Sequence, residues 1–144
     1  MVSGDKEKYD YLFKYMVVGD VLGKSNLLLR YVRGKFDPSY ITIGMELFEK
    51  NIKIRNKTYR LQIWDTSGCE MFKSINRSYY KNSACSLIVY DITNRISFIN
   101  VSNLFEDFKN ISPKTILMVL VGNKSDLPEN REVDTKEGQK LADK

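Results

Sequence analysis

Three stretches of this chain are too continuously apolar to lie on a protein surface, and they constrain the fold more than any other feature. They are Tyr11 to Gly19 (YLFKYMVVG), Ala84 to Ile92 (ACSLIVYDI) and Thr115 to Gly122 (TILMVLVG). Short runs without polar alternation read as strands covered on both faces, the situation of a parallel sheet between helices. Amphipathic stretches separate the runs. Ser25 to Arg33 (SNLLLRYVR) is expected as a helix, and Asp134 to Asp143 as the opening of another. Ile96, Ile99, Val101, Leu104, Phe105 and Phe108 are assigned to one helical face packed on the sheet, with Asn94 or Ser97 as the cap. Leu47 to Ile54 and Thr58 to Trp64 alternate as half-exposed strands. Arg55-Asn56-Lys57 between them is a hairpin turn in which Asn56 tolerates left-handed geometry. Strands alternating with helices give an α/β class with a mostly parallel sheet.

At 144 residues the chain has the size of one domain, and with 42% hydrophobic and 28% charged residues it reads as soluble and globular. No internal repeat or low-complexity linker interrupts it. The net charge of +5 is spread over scattered lysines and arginines without a basic run, so a solvated surface is expected and no nucleic-acid partner. The absence of histidine removes the usual general base and the usual zinc ligand, and Cys69 and Cys85 have no metal-type spacing. Met1 to Asp10 is charged and without an apolar core, and no apolar stretch approaches the roughly 18 residues of a membrane span. A cytoplasmic location is the expectation.

Ligands of open α/β sheets sit outside the carboxyl ends of the strands, so the chemistry is sought where each apolar run stops. Gly23-Lys24-Ser25 follows the first strand. A phosphate-binding loop needs exposed backbone amides, a lysine for the β- and γ-phosphates and a hydroxyl for magnesium. Asp65-Thr66-Ser67-Gly68 follows the third strand and offers a carboxylate to magnesium and a glycine amide to a γ-phosphate. Asn123-Lys124-Ser125-Asp126 follows the fifth. Its carboxylate can accept both the ring N–H and the exocyclic amine of guanine, a donor pair that adenine does not present. Each motif alone also fits a plain polar turn. Their order and spacing within one α/β pattern is what favours a nucleotide site.

With these residues in place the chain resembles the Rab proteins of the Ras superfamily, the branch serving secretory and endocytic traffic. The matching stretches are YDYLFKYMVVGD, LQIWDTSG, FKSINRSYY, VYDIT, VGNKSDL and NREV, and they extend over nearly the whole chain after its first eight residues. The resemblance implies a P-loop NTPase-type open sheet with helices on both faces, residues 1–10 being an extension and 11–144 a small GTPase domain. It implies GTP or GDP and Mg2+ as ligands, with effectors, exchange factors and GTPase-activating proteins as partners. Position by position, Gly19, Gly23, Lys24, Ser25, Asn26 and Gly68 would hold phosphate. Ser25, Thr42 and Asp65 would hold magnesium, and Phe36, Asn123, Lys124 and Asp126 would hold guanine. Trp64 and Tyr79 match two of three aromatic switch positions, and Leu47 stands at the third.

Three departures qualify the likeness. Gly19 and Gly23 enclose only Asp20, Val21 and Leu22, one residue fewer than the phosphate-loop pattern, and Phe36 and Thr42 are one residue closer than in the family. Each charge-assisted bond lost from a phosphate costs about 1.5–3 kcal/mol, or about tenfold or more in affinity. Cys69 stands where the family has the glutamine that orients the attacking water, and a thiol is too short and too weak a partner for that task, so slow hydrolysis is expected. The chain ends at Leu141-Ala142-Asp143-Lys144 without the family's last strand, last helix or prenylated cysteines. From that ending an exposed apolar sheet face is expected, and no encoded membrane anchor. The function implied is a guanine-nucleotide switch of vesicle-mediated transport on the cytosolic face of endomembranes. The alternative is a non-catalytic pseudo-GTPase that binds Rab partners.

Overall fold

A computed structural model describes residues 8–19, 23–68, 81–111 and 116–144, with side chains from 106 to 111 excepted. Five strands are present: β1 (Tyr11–Val18), β2 (Met45–Ile54), β3 (Lys57–Thr66), β4 (Cys85–Asp91) and β5 (Leu117–Asn123). They form one sheet in the order β2-β3-β1-β4-β5. Only β2 runs antiparallel, paired with β3, and the other neighbours are parallel. The helices are α1 (Lys24–Arg33), α2 (Arg95–Ile111) and α3 (Thr135–Ala142).

The period of two along each strand divides the core into two layers. Met16, Val18, Ile88 and Tyr90 face one way and pack with Phe98 and Val101 of α2 and Leu141 of α3. Val17, Leu61, Ile63 and Val89 face the other way and pack with Leu28 and Leu29 of α1. Helices therefore pack on both faces of the sheet, over the centre of β1, β3 and β4. Each of these buried side chains stabilises the fold by about 1.5–3 kcal/mol relative to an exposed one. Asp134 caps α3 in a reciprocal box: its carboxylate accepts from Lys136 N–H at 2.7 Å and Glu137 reaches back to the Asp134 N–H at 3.3 Å. No helix among the described residues is long and apolar enough to cross a membrane.

Several expectations are corrected. On α2 the inward face is Phe98, Val101, Leu104 and Phe105, whereas Ile96 and Ile99 are exposed. A step of two residues from Phe98 or Val101 turns the helix by about 200°, which carries both isoleucines to the outside. The cap is Asn94, whose Oδ1 accepts from Ser97 N–H at 3.1 Å, while Ser97 turns inward and accepts from Asp91 N–H at 3.0 Å. In the β2–β3 hairpin, Ile54 pairs with Lys57, and the left-handed residue is Arg55 (φ 53°) rather than Asn56. β5 is not buried on both faces, because it is the sheet's edge and α1 packs over β2 and β3 instead. Leu117 is 62% exposed, and Val119, Tyr11 and Phe13 on the same face are exposed as well. On this face α1 covers Val17, Leu61, Ile63 and Val89 and leaves Leu117, Val119, Tyr11 and Phe13 outside.

Leaving β1, the chain first builds β2 and β3 on one side and then crosses to β4 and β5 on the other. The crevice for a ligand lies at this reversal, outside the carboxyl ends of the strands. Val17 is in register with Asp65, and Asp91 with Asn123, so the ends of β1, β3, β4 and β5 reach one edge together.

Candidate functional site

The site begins where β1 must stop. Gly19 has φ 143°, and a Cβ there would stand 2.1 Å from the Val89 carbonyl oxygen. Only glycine lets the chain leave the sheet so close to β4. Gly23, at φ 105°, is the N-cap residue of α1, and no side chain caps that helix end. The first backbone bond of the turn comes from Leu27 N–H to Gly23 O at 3.1 Å. The amides of Lys24, Ser25 and Asn26 therefore precede the ladder, an arrangement suited to an anion. Residues 20–22 between the two glycines lie outside the described residues.

Lys24 is 4% exposed and Ser25 9%. Such burial is unusual for a lysine and is sustained by opposite charge close by. Asp65, at the carboxyl end of β3, is 0% exposed. Thr42 Oγ1 donates to Asp65 Oδ2 at 2.8 Å, and Ser25 Oγ is hydrogen-bonded to both Asp65 Oδ2 and Thr42 Oγ1. Oxygens from α1, the 35–44 segment and β3 thus meet at one point. Burial pushes the Asp65 carboxyl up, while the Ser25 and Thr42 hydroxyls and the Lys24 charge pull it down. Its second oxygen, Oδ1, is buried without a hydrogen-bond partner among the described residues.

This donor set fits magnesium. A hard divalent cation takes hydroxyl and carboxylate oxygens, uses few carboxylates, and completes its shell with phosphate and water. No group of three acidic or sulfur ligands occurs among the described residues, so a cation here would need the phosphates as well.

The segment leading to Thr42 is pinned from both sides. Asp37 N–H donates to Asn26 Oδ1 at 2.9 Å, and Ser67 N–H donates to Gly44 O at 2.9 Å. The Asn26 Oδ1 is thereby engaged with Asp37, while its backbone N–H lies among the amides at the start of α1, where the phosphate role was expected. Thr66 Oγ1 donates to Val17 O at 2.9 Å and fixes the end of β3 against β1. Gly68 is the last residue described before Cys69. Cys69 and Tyr79 lie outside the described residues. Leu47 and Trp64 are paired across β2 and β3.

The third motif approaches from the other side. Ile92 N–H donates to Asn123 O at 3.1 Å, and a Cβ on Gly23 would stand 3.0 Å from Asn123 Nδ2. Asn123 therefore touches the start of α1, joining the motif to the phosphate-binding turn. Lys124 is left-handed (φ 65°), Leu127 N–H closes the turn onto its carbonyl at 3.0 Å, and Asp126 is exposed. Phe36 presents its ring to solvent at 69% exposure. One charged residue was not among the sequence candidates: Asp91, at the end of β4, whose Oδ2 lies 2.6 Å from Lys124 Nζ. Its signal in the sequence is a carboxylate closing the second apolar run, without a motif around it.

The model of the Ras family matches residues 14–144. The chain belongs to the Ras family. Among curated relatives of this Ras-family chain, the Ras-related protein Rab-2B of Dictyostelium discoideum is 48% identical over 138 residues, covering 94% of this chain and 68% of the relative. Ras-related protein Rab-11C of the same organism is 44% identical over 140 residues (96% and 62%), and Ras-related protein RABA6b of Arabidopsis thaliana is 45% identical over 139 (95% and 61%). The chain thus spans about three-fifths to two-thirds of the length of these relatives. The Rab likeness read from the residues is shown by the same matches, and the open, mostly parallel sheet is the fold that the family implies.

Proposed function

We propose that this chain is a guanine-nucleotide-binding switch of vesicle-mediated transport that binds Mg2+ with GTP or GDP and hydrolyses GTP slowly. The observation that carries this reading is the meeting of Ser25, Thr42 and Asp65 oxygens beside buried Lys24. Two hydroxyls brought to a buried carboxylate serve no evident packing purpose. They suit a cation that bridges phosphate oxygens and neutralises their charge. Lys24 and the first amides of α1 bind and orient the phosphates. Asp126 reads the guanine edge, Asn123 bonds a ring acceptor, and Lys124 and Phe36 flank the base. Thr42, held by Ser25 and Asp65, is the element whose position distinguishes the nucleotide states, and through it effectors, exchange factors and GTPase-activating proteins sense the switch. The place of action is the cytosolic face of endomembranes.

Hydrolysis is the weak step, because Cys69 offers no amide or carboxylate with which to orient water. A second reading, a pseudo-GTPase that binds Rab partners irrespective of nucleotide, is favoured by Cys69 and the shortened phosphate loop. Single-turnover hydrolysis of bound GTP separates the two. Slow but measurable GDP formation is expected, and Cys69→Gln alone leaves the rate nearly unchanged until the loop is lengthened by one residue. A large gain from Cys69→Gln alone, or no GTP bound at millimolar concentration, contradicts this reading.

A further inference from the structure

We propose that Asp91 is the positioning residue of the guanine-reading loop: its carboxylate holds the Lys124 ammonium, so that the lysine stem stands as a fixed wall of the base site. The inference rests on the guanine-nucleotide reading above. Asp91 ends β4 in register with Asn123 at the end of β5, so the two strand ends deliver it directly beside the loop. Its orientation is set from behind. Oδ1 accepts from Thr93 N–H at 2.8 Å and from Thr93 Oγ1–H at 2.6 Å, which leaves Oδ2 to meet Lys124 Nζ at 2.6 Å. The backbone is tied as well: Asn94 N–H donates to Asp91 O at 3.0 Å, and Ser97 Oγ accepts from Asp91 N–H at 3.0 Å.

The pair is asymmetric. The Asp91 side chain is 8% exposed and that of Lys124 35%, so a rigid, buried acceptor restrains a longer, partly solvated donor. Burial by itself pushes the Asp91 carboxyl up, but the bonds from Lys124 and Thr93 outweigh it and hold the group below its ordinary value. A free lysine side chain samples many rotamers, and fixing it before the ligand arrives removes that ordering cost from binding. Lys124 is also left-handed, a backbone state that lysine rarely adopts, and the ion pair anchors the far end of the side chain of that strained residue.

The test is release of fluorescently labelled GDP from the full chain in the presence of Mg2+. Asp91→Asn preserves shape and the Thr93 bonds but removes the charge, and release is expected to quicken by about tenfold. Thr93→Val, which removes one of the two bonds that orient the carboxylate and keeps the backbone one, is expected to quicken it by about threefold. The discriminating measurement is a double-mutant cycle with Lys124→Ala. Adding Asp91→Asn to Lys124→Ala is expected to change nothing further, because the group to be positioned is gone. Additive losses would mean that Asp91 merely supports β4, and they overturn the proposal, as does unchanged release from Asp91→Asn. Should Asp91→Asn show no melting transition, Thr93→Val decides, and unchanged release from it overturns the proposal. A parent chain that binds no GDP overturns the guanine reading and this inference together, whereas normal GDP binding by the parent with an inert Asp91→Asn overturns this inference alone.

Discussion

The two halves of the proposed nucleotide site are built on different principles. On the phosphate side, Lys24, Ser25 and Asp65 are buried, and oxygens from three separate segments crowd one point with Asp65 Oδ1 still unsatisfied among the described residues. On the base side, Phe36 and Asp126 are exposed, and the loop is held by its own turn and by the Asp91–Lys124 pair. In the proposed reading, the first half relies on its ligand to balance buried charge and polarity. The second is arranged by the protein in advance. Metal and phosphate should therefore govern how tightly this chain binds, and the base loop should govern which nucleotide it chooses.

Variants on each side can break that contrast. Ser25→Ala removes a metal oxygen from the buried half, and Mg2+-dependent GDP affinity is expected to fall about a hundredfold. Titration calorimetry at fixed Mg2+ measures it, and the remaining binding should no longer respond to Mg2+. Asp126→Ala acts on the exposed half and deletes the two charge-assisted bonds proposed to guanine. Affinity for GDP is expected to fall about thirtyfold while affinity for ADP stays the same, so competition between the two nucleotides reads the change as lost selectivity. Equal losses for both would place Asp126 outside the base site. The smallest effect is expected at the exposed Asn26–Asp37 bond. Asn26→Ala frees the Asp37 N–H of an exposed bond, and GDP release should quicken about threefold without loss of selectivity. A change in the GDP-to-ADP ratio would show that the 35–44 segment, rather than the 123–126 loop, sets selectivity.

What could be read from the residues follows the same division. Uninterrupted apolar runs point to the strands of a parallel sheet, because period-two alternation is lost where helices lie on both faces, and the motifs stand where those runs stop. Edge effects were not visible. TILMVLVG looks as apolar as ACSLIVYDI, yet β5 lies at the rim and exposes Leu117, since strand order is not encoded in any single run. Ile96 and Ile99 misled for a local reason: isoleucines next to a true inward stripe widen its apparent arc, and only the helix phase set by Phe98 and Val101 excludes them. In the proposed site, the residues assigned to the ligand mostly carry motif signatures, whereas the residues that hold them do not. Asp91 and the Asn26–Asp37 bond depend on register and on loop closure, which exist only in three dimensions.

Nucleotide binding by this chain is proposed to depend on a cation that completes the cluster of Ser25, Thr42 and Asp65. Equilibrium binding of GDP to the purified chain, with millimolar Mg2+ and again with excess EDTA, addresses that claim most directly. Affinity is expected to be at least about tenfold tighter with Mg2+, with release quickened to match once the metal is withdrawn. Identical affinity and identical release under both conditions would contradict it.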